Sequence, residues 1–121
     1  MTNIIDVGNN IISLDMKISS GSSITDGQNL TKNRVCAIQM PSAWTTADLT
    51  FQASNDGKTY VDVYDIYGAE VVISVDKDRY IVIDPKIFAN IKYIKIIRSG
   101  TTGTPVTQSA ERIIKLMTRV V

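Results

Sequence analysis

The sequence predicts an all-β fold: a single antiparallel β-sandwich of about eight strands, arranged as a jelly roll. Three observations predict it. From Leu49 to Ser99 apolar and polar residues alternate for most of the way, the period of two that marks strands buried on one face. Turn-forming clusters interrupt that alternation at intervals of roughly 8–12 residues, as strands in sandwiches require; Asn55-Asp56-Gly57, Asp76-Lys77-Asp78 and Asp84-Pro85 are the clearest. The chain has 121 residues, 44% of them hydrophobic, which suits one domain with a core of its own.

Each element follows from its residues. Residues 1–10 show no clear period and read as an N-terminal arm or an added edge strand, with the sandwich domain spanning 11–121. Ile12, Leu14, Met16 and Ile18 share one face of a first strand over 11–19. Gly21-Ser22-Ser23 turns the chain, and Ile24 to Leu30 is a short strand or loop broken at Asp26-Gly27. Arg34 to Met40 is apolar enough for a deeply buried strand, which Pro41 ends because proline cannot donate to a ladder. Leu49, Phe51 and Ala53 then face one way and Thr50, Gln52 and Ser54 the other. Asn55-Asp56-Gly57 turns into a returning strand over Thr59 to Tyr64, with Val61 and Val63 inward. After a turn at Asp65 to Ala69, strands are expected over Glu70–Val75 and Arg79–Ile83. Lys86 to Asn90 reads as a single helical turn, and Ile91 to Arg98 as a strand. Ser99 to Ser109 is the most loop-like stretch. From Ala110 to Val120 helix propensity competes, but Ile114, Leu116 and the methyl of Thr118 recur every second residue and favour a strand.

Composition narrows the function classes. Thirteen basic against twelve acidic residues leave a net charge of +1; phosphate backbones demand clustered positive charge, so no nucleic-acid partner is expected. No apolar run approaches the ~20 residues of a membrane helix, no signal peptide is visible, and no membrane association is expected. The single cysteine, Cys36, forbids an internal disulfide and fits folding in a reducing compartment; its apolar neighbours suggest a small buried side chain.

No catalytic constellation stands out. The sequence contains no histidine, which removes the usual general base and the commonest metal ligand. Asp62 with Asp65, or Asp76 with Asp78, could pair as acid and base, but each lies at or beside a turn, where aspartate caps and solubilises. Asn55, Asp56 and Asp78 are hard oxygen ligands without the spacing of a calcium loop. Gly100-Thr101-Thr102-Gly103 lacks the Lys-Ser/Thr ending of a phosphate loop. The reading is therefore no enzyme and no cofactor.

The contact candidates are aromatic or in loops. Trp44 follows Pro41 in a loop; in a sandwich Trp more often plugs the core or anchors an interface than stacks on a sugar. Tyr60, Tyr64 and Tyr67 cluster around one expected hairpin, as a contact patch or as a cover for the sheet edge. Thr101, Thr102, Thr104 and Pro105 stand in the polar loop.

Two resemblances add to this. Ser54, Asp56, Gly57 and Tyr60, followed by Lys92-Tyr93-Ile94-Lys95-Ile96, resemble the discoidin, or galactose-binding-like, jelly roll, whose motif joins an Asp-Gly hairpin to an aromatic that packs back. The chain lacks the terminal cysteine pair of the secreted members, and its loops match no sugar pocket of that group. From about Ile18 onward the chain is similar to a group of small tailed-phage proteins found among virion structural genes. The shared pieces are Met40, Pro41 and Trp44; Leu49 to Ser54 with Asp56 and Gly57; Asp84, Pro85, Phe88 and Ala89; and Arg98 to Thr101 with Pro105, Val106, Gln108, Ala110 and Arg112. This likeness implies a non-enzymatic structural protein of a bacteriophage virion, made in the bacterial cytoplasm. It would be an accessory head protein (a decoration or cement subunit, or the base of a head or neck fibre) adhering to phage capsid or neck proteins and to copies of itself. The other expectations are a carbohydrate-binding module that holds a surface glycan through Trp44 or the tyrosines, and a cytoplasmic assembly factor.

Overall fold

A computed structural model describes residues 11–101 and 103–120. The expected arm at 1–10 and the candidate Thr102 lie outside them. The described residues form eight strands and no helix: β1 (Ile11–Ile18), β2 (Gly27–Asn29), β3 (Asn33–Gln39), β4 (Leu49–Ser54), β5 (Val61–Asp62), β6 (Tyr80–Val82), β7 (Tyr93–Ser99) and β8 (Arg112–Val120). Nothing among them is a helix long and apolar enough to cross a membrane.

The pairing is that of one long hairpin. β1 lies beside β8, β2 beside β7, β3 beside β6 and β4 beside β5, all antiparallel. Rolling the hairpin sets β8 against β3 and β7 against β4, and closes two four-stranded sheets of order β1-β8-β3-β6 and β2-β7-β4-β5. This nesting is the expected jelly roll.

Alternation explains the core. Leu14, Leu116, Ile38 and Ile81 stand in register across the four strands of the first sheet, and Leu116 and Ile38 are wholly buried. Ile114 and Thr118 flank Leu116 on the same face of β8, so the strand outranks the helix that propensity alone would allow. Leu49, Phe51 and Ile94 line the second sheet. Loop residues plug the ends: Leu30, Met40, Val75 and Phe88, the last edge-on to Phe51 with ring centroids 5.0 Å apart. The Thr118 hydroxyl donates to the Ile12 carbonyl and accepts from the Asn33 amide, so its burial strands no polar atom.

Several expectations are corrected. Gly27 does not break the second strand but opens it; its missing Cβ leaves room for the Tyr60 hydroxyl. Cys36 is only half-buried, because it sits at the irregularity between Val35 and Ala37 where β3 slips register against β8. The strand expected over Thr59–Tyr64 shrinks to β5, and Val61 does not face inward: it is 65% exposed on the last strand of its sheet, opposite the small Ala53. Val63 does pack on the core. Glu70–Val75 alternates as expected but forms no ladder, only the isolated bridges Tyr64–Glu70 and Leu49–Ile73. Lys86–Asn90 is not helical; tight turns close from the Ile87 amide to the Asp84 carbonyl at 3.1 Å and from the Ile91 amide to the Phe88 carbonyl at 3.2 Å.

Because Leu116 occupies the centre of both the β8 ladder and the core, Leu116→Ala should cost about 3 kcal/mol of unfolding free energy. Urea unfolding measures it, and a loss below about 1 kcal/mol would show that the core lies elsewhere.

Candidate interaction surface

The residues of the loop motifs turn out to be clamped together. Trp44 is 8% exposed and packs in the core cluster, with its indole N–H donating to the Ala47 carbonyl at 3.0 Å. The next residue, Thr45, is held by Gln108, which is wholly buried. The Gln108 Oε1 accepts the Thr45 amide at 2.9 Å, and its Nε2 donates to the Thr45 carbonyl at 3.1 Å. The Gln108 main chain is bound as well: its amide donates to the Ser22 carbonyl, and its carbonyl accepts from the Gly21 amide. Arg112 completes the cluster, with Nε donating to Gln108 Oε1 at 3.2 Å. One glutamine thus ties the 20–22, 41–48 and 99–109 loops at one end of the sandwich. Trp44 and Gln108 are placed as structural anchors rather than as an exposed platform.

The rest of the polar loop is equally braced at its base. The Gly100 amide donates to the Asp48 carbonyl at 2.7 Å, and the Gly100 carbonyl accepts from the buried Thr50 hydroxyl at 2.8 Å. Gly100 has φ +94°, and a Cβ there would run into the Thr104 carbonyl, so this corner needs glycine. Thr101 and Thr104 exchange main-chain hydrogen bonds, which leaves Thr104 and Pro105 exposed at a small tip and Thr101 half-buried.

The three tyrosines do not form one patch. Tyr60 is half-buried against Gly27, and burial raises its phenol pKa, with Tyr93 and Asp56 adding to the shift. Tyr64 and Tyr67 belong to a different feature, a hairpin that leaves the sheet. The Val63 amide bonds the Phe51 carbonyl, and Leu49 and Ile73 exchange both their hydrogen bonds, so 63 and 73 flank β4 in continuing antiparallel order. The chain between them goes out and back. The Val71 amide returns to the Val63 carbonyl at 3.0 Å and closes the base of the excursion, and Tyr64 bridges Glu70 above it.

The tip of that hairpin is hydrogen-bonded within itself and carries large apolar side chains. Asp65 Oδ1 accepts the Tyr67 amide at 2.8 Å and the Ala69 amide at 3.0 Å, while the Asp65 amide donates to the Ala69 carbonyl. Gly68 supplies the positive φ, +84°, that the turn requires. Held on this frame, Ile66 is 90% exposed and Tyr67 88%. Tyr64, Val72 and Ile87 add exposed apolar surface around its base. A groove of about 610 Å³ runs beside it, walled by Val63, Tyr64, Val71, Val72, Lys86 and Ile87. Ile66, Val72 and Ile87 went unsuspected in the sequence; the available signal was a large apolar residue inside a turn, Asp-Ile-Tyr-Gly, where polar residues are usual.

The carboxylates serve the loops. Asp56 Oδ1 accepts the Lys58 amide at 2.8 Å, the Thr59 amide at 2.9 Å and the Ser54 hydroxyl at 2.8 Å. Asp62 takes the Gln52 amide, Asp65 caps its own turn, and Asp76 accepts its neighbour's amide and pairs with Arg79 at 3.9 Å. Among the described residues no three His, Cys, Asp or Glu side chains converge to hold a metal ion.

Two predictions follow from these networks. Gln108→Leu keeps the bulk but strands the Thr45 amide and carbonyl, and should lower stability by about 2 kcal/mol in urea unfolding; a loss under about 0.5 kcal/mol would dismiss the clamp. The amides of Thr59 and Lys58 and the Ser54 hydroxyl hold the Asp56 pKa at about 2, below the ordinary aspartate value of 3.8. A folded value below the unfolded one makes the contribution of Asp56 complete above pH ~4 and lost as pH falls toward 2. Carboxyl NMR should place the Asp56 midpoint near 2, and Asp56→Asn should remove this part of the acid sensitivity; a midpoint near 3.8 would contradict it.

Comparison with protein families, curated proteins and solved structures finds no match to this chain.

Proposed function

We propose that this chain is a non-enzymatic structural component of a bacteriophage virion, an accessory head protein that works by adhesion to neighbouring protein. The observation that carries the reading is the hairpin between Val63 and Val71. A rigid sandwich pushes Ile66 and Tyr67 into water on a turn braced by Asp65 and Gly68. The excursion interrupts an edge that resumes beyond it at Ile73, and its two tip residues contribute nothing to the core cluster. Large apolar residues exposed on a pre-ordered turn are the makings of an interface anchor, since little conformational entropy is lost when they dock.

The likeness of the loop pieces to small phage virion proteins supplies the setting. In a particle, each subunit repeats the same contact across a lattice, so avidity turns a modest patch into a durable attachment. The phage capsid or neck proteins and other copies of this chain are the partners under this reading, and the virion is its location. The carbohydrate-binding reading is weaker: Trp44 is buried and bonded to Ala47, which leaves Tyr64 and Tyr67 as its platform.

The test is particle composition. Mass spectrometry of gradient-purified, salt-washed virions should find the chain in stoichiometric amount, and crosslinking should join the chain to a head or neck protein and the 64–70 hairpin or its flanks to a neighbouring subunit, a second copy included. Absence of the chain from washed particles, with presence in the infected-cell lysate, would favour an assembly factor and end the virion reading. Specific binding on a glycan array would favour the carbohydrate module.

A further inference from the structure

We infer that the hairpin at 64–70 and the groove beside it form a self-complementary face through which two copies of this chain pair about a two-fold axis. The inference rests on the adhesion reading and names the partner of that surface. A protrusion and a recess of matching chemistry adjoin here: Ile66 and Tyr67 project from the hairpin, and Ile66 also lines the groove that Val63, Val71, Val72 and Ile87 wall. A two-fold rotation sets each protrusion into the other copy's recess, so every contact is made twice.

Charge points the same way. Asp65 and Glu70 of the hairpin and Lys86 from a separate loop line the same groove. The rotation brings Lys86 of one copy toward the acidic hairpin of the other, a match that a uniformly acidic or basic partner could not make to both at once. The extent of the surface agrees with a reversible pair. Tyr64, Ile66, Tyr67, Val72 and Ile87 are the exposed large apolar residues here. Together they offer on the order of 600 Å², at the upper end of the largest patch on a typical monomer and somewhat below the ~800 Å² each partner buries in a standard complex. A further exposed apolar strip among the described residues, with Ile11, Tyr80 and Val82, lies along strands of the first sheet.

Sedimentation velocity on the purified chain, from about 5 μM to about 1 mM, tests this. A concentration-dependent monomer–dimer equilibrium is expected, with half-association on the order of 100 μM. Ile66→Asp should weaken it at least ~10-fold while leaving the melting temperature unchanged, since that side chain touches no core. Lys86→Glu should weaken it by about 3- to 10-fold, whereas Lys115→Glu, on β8 and away from this face, should not. A chain that stays monomeric at every concentration overturns the inference, as does a dimer indifferent to Ile66→Asp. Growth beyond the dimer also overturns it, because a two-fold face is closed once paired. Failure here is distinct from failure of the virion reading: the chain can be absent from particles and still dimerise through this face, or be present on them and remain monomeric in solution.

Discussion

The structure depends on β8 being paired on both sides. Strand β8 runs between β1 and β3, the first and third strands of the chain, and its inward residues Ile114, Leu116 and Thr118 are buried by both. The last strand must therefore return to the beginning before either neighbour gains its cover. Most of the strand pairings close long loops of chain, and closure is rewarded only when the apolar rows come into register. This explains why the inward faces of β1, β3 and β8 are apolar apart from the hydrogen-bonded Thr118, while the short edge strands β5 and β6 can leave Val61 and Val82 in water.

A roll of this kind leaves loops at both ends, and the two ends are handled differently. At one end, Gln108 gathers three loops with both its main chain and its side chain, and Trp44 seals the core beneath. Here the main chains of Gly21, Ser22, Thr45 and Gln108 all find hydrogen-bond partners. On the edge of the second sheet, by contrast, the chain builds a hairpin whose tip packs on nothing. Bonds to Asp65 Oδ1 and across the base between Val63 and Val71 shape it. The one feature stabilises the sandwich. The other uses the sandwich as a mount, and that contrast directs the functional reading to Ile66 and Tyr67 rather than to the loop with the longest motif.

Much of the fold was legible residue by residue. The alternation at Ile12 to Ile18, the termination at Pro41, and the every-second-residue apolar pattern at Ile114 to Thr118 report burial on one face, which is a local property of a strand. The turns at Asp56-Gly57 and at Asp65 to Gly68 were readable for the same reason, because φ > 0 and side-chain capping act within a few residues. The contact surface was only half legible. Tyr64 and Tyr67 were on the page, but Tyr60 was grouped with them by sequence distance, and the fold separates them: Tyr60 turns back on Gly27 while the hairpin carries the others away. Val61 and Cys36 were misjudged through the same gap, since alternation cannot distinguish an edge from a centre or foresee a bulge.

By itself, then, the sequence determined that the chain is all-β, where most strands start and stop, and which face of each is apolar, because those depend on neighbours one to four residues apart. Only the tertiary structure decided which strands are edges, that Gln108 is wholly buried and clamps Thr45 beside the buried Trp44, and that Ile66 stands almost wholly in water. Those outcomes hinge on whether another segment, dozens of residues away, arrives to cover a side chain, and no local pattern records that arrival.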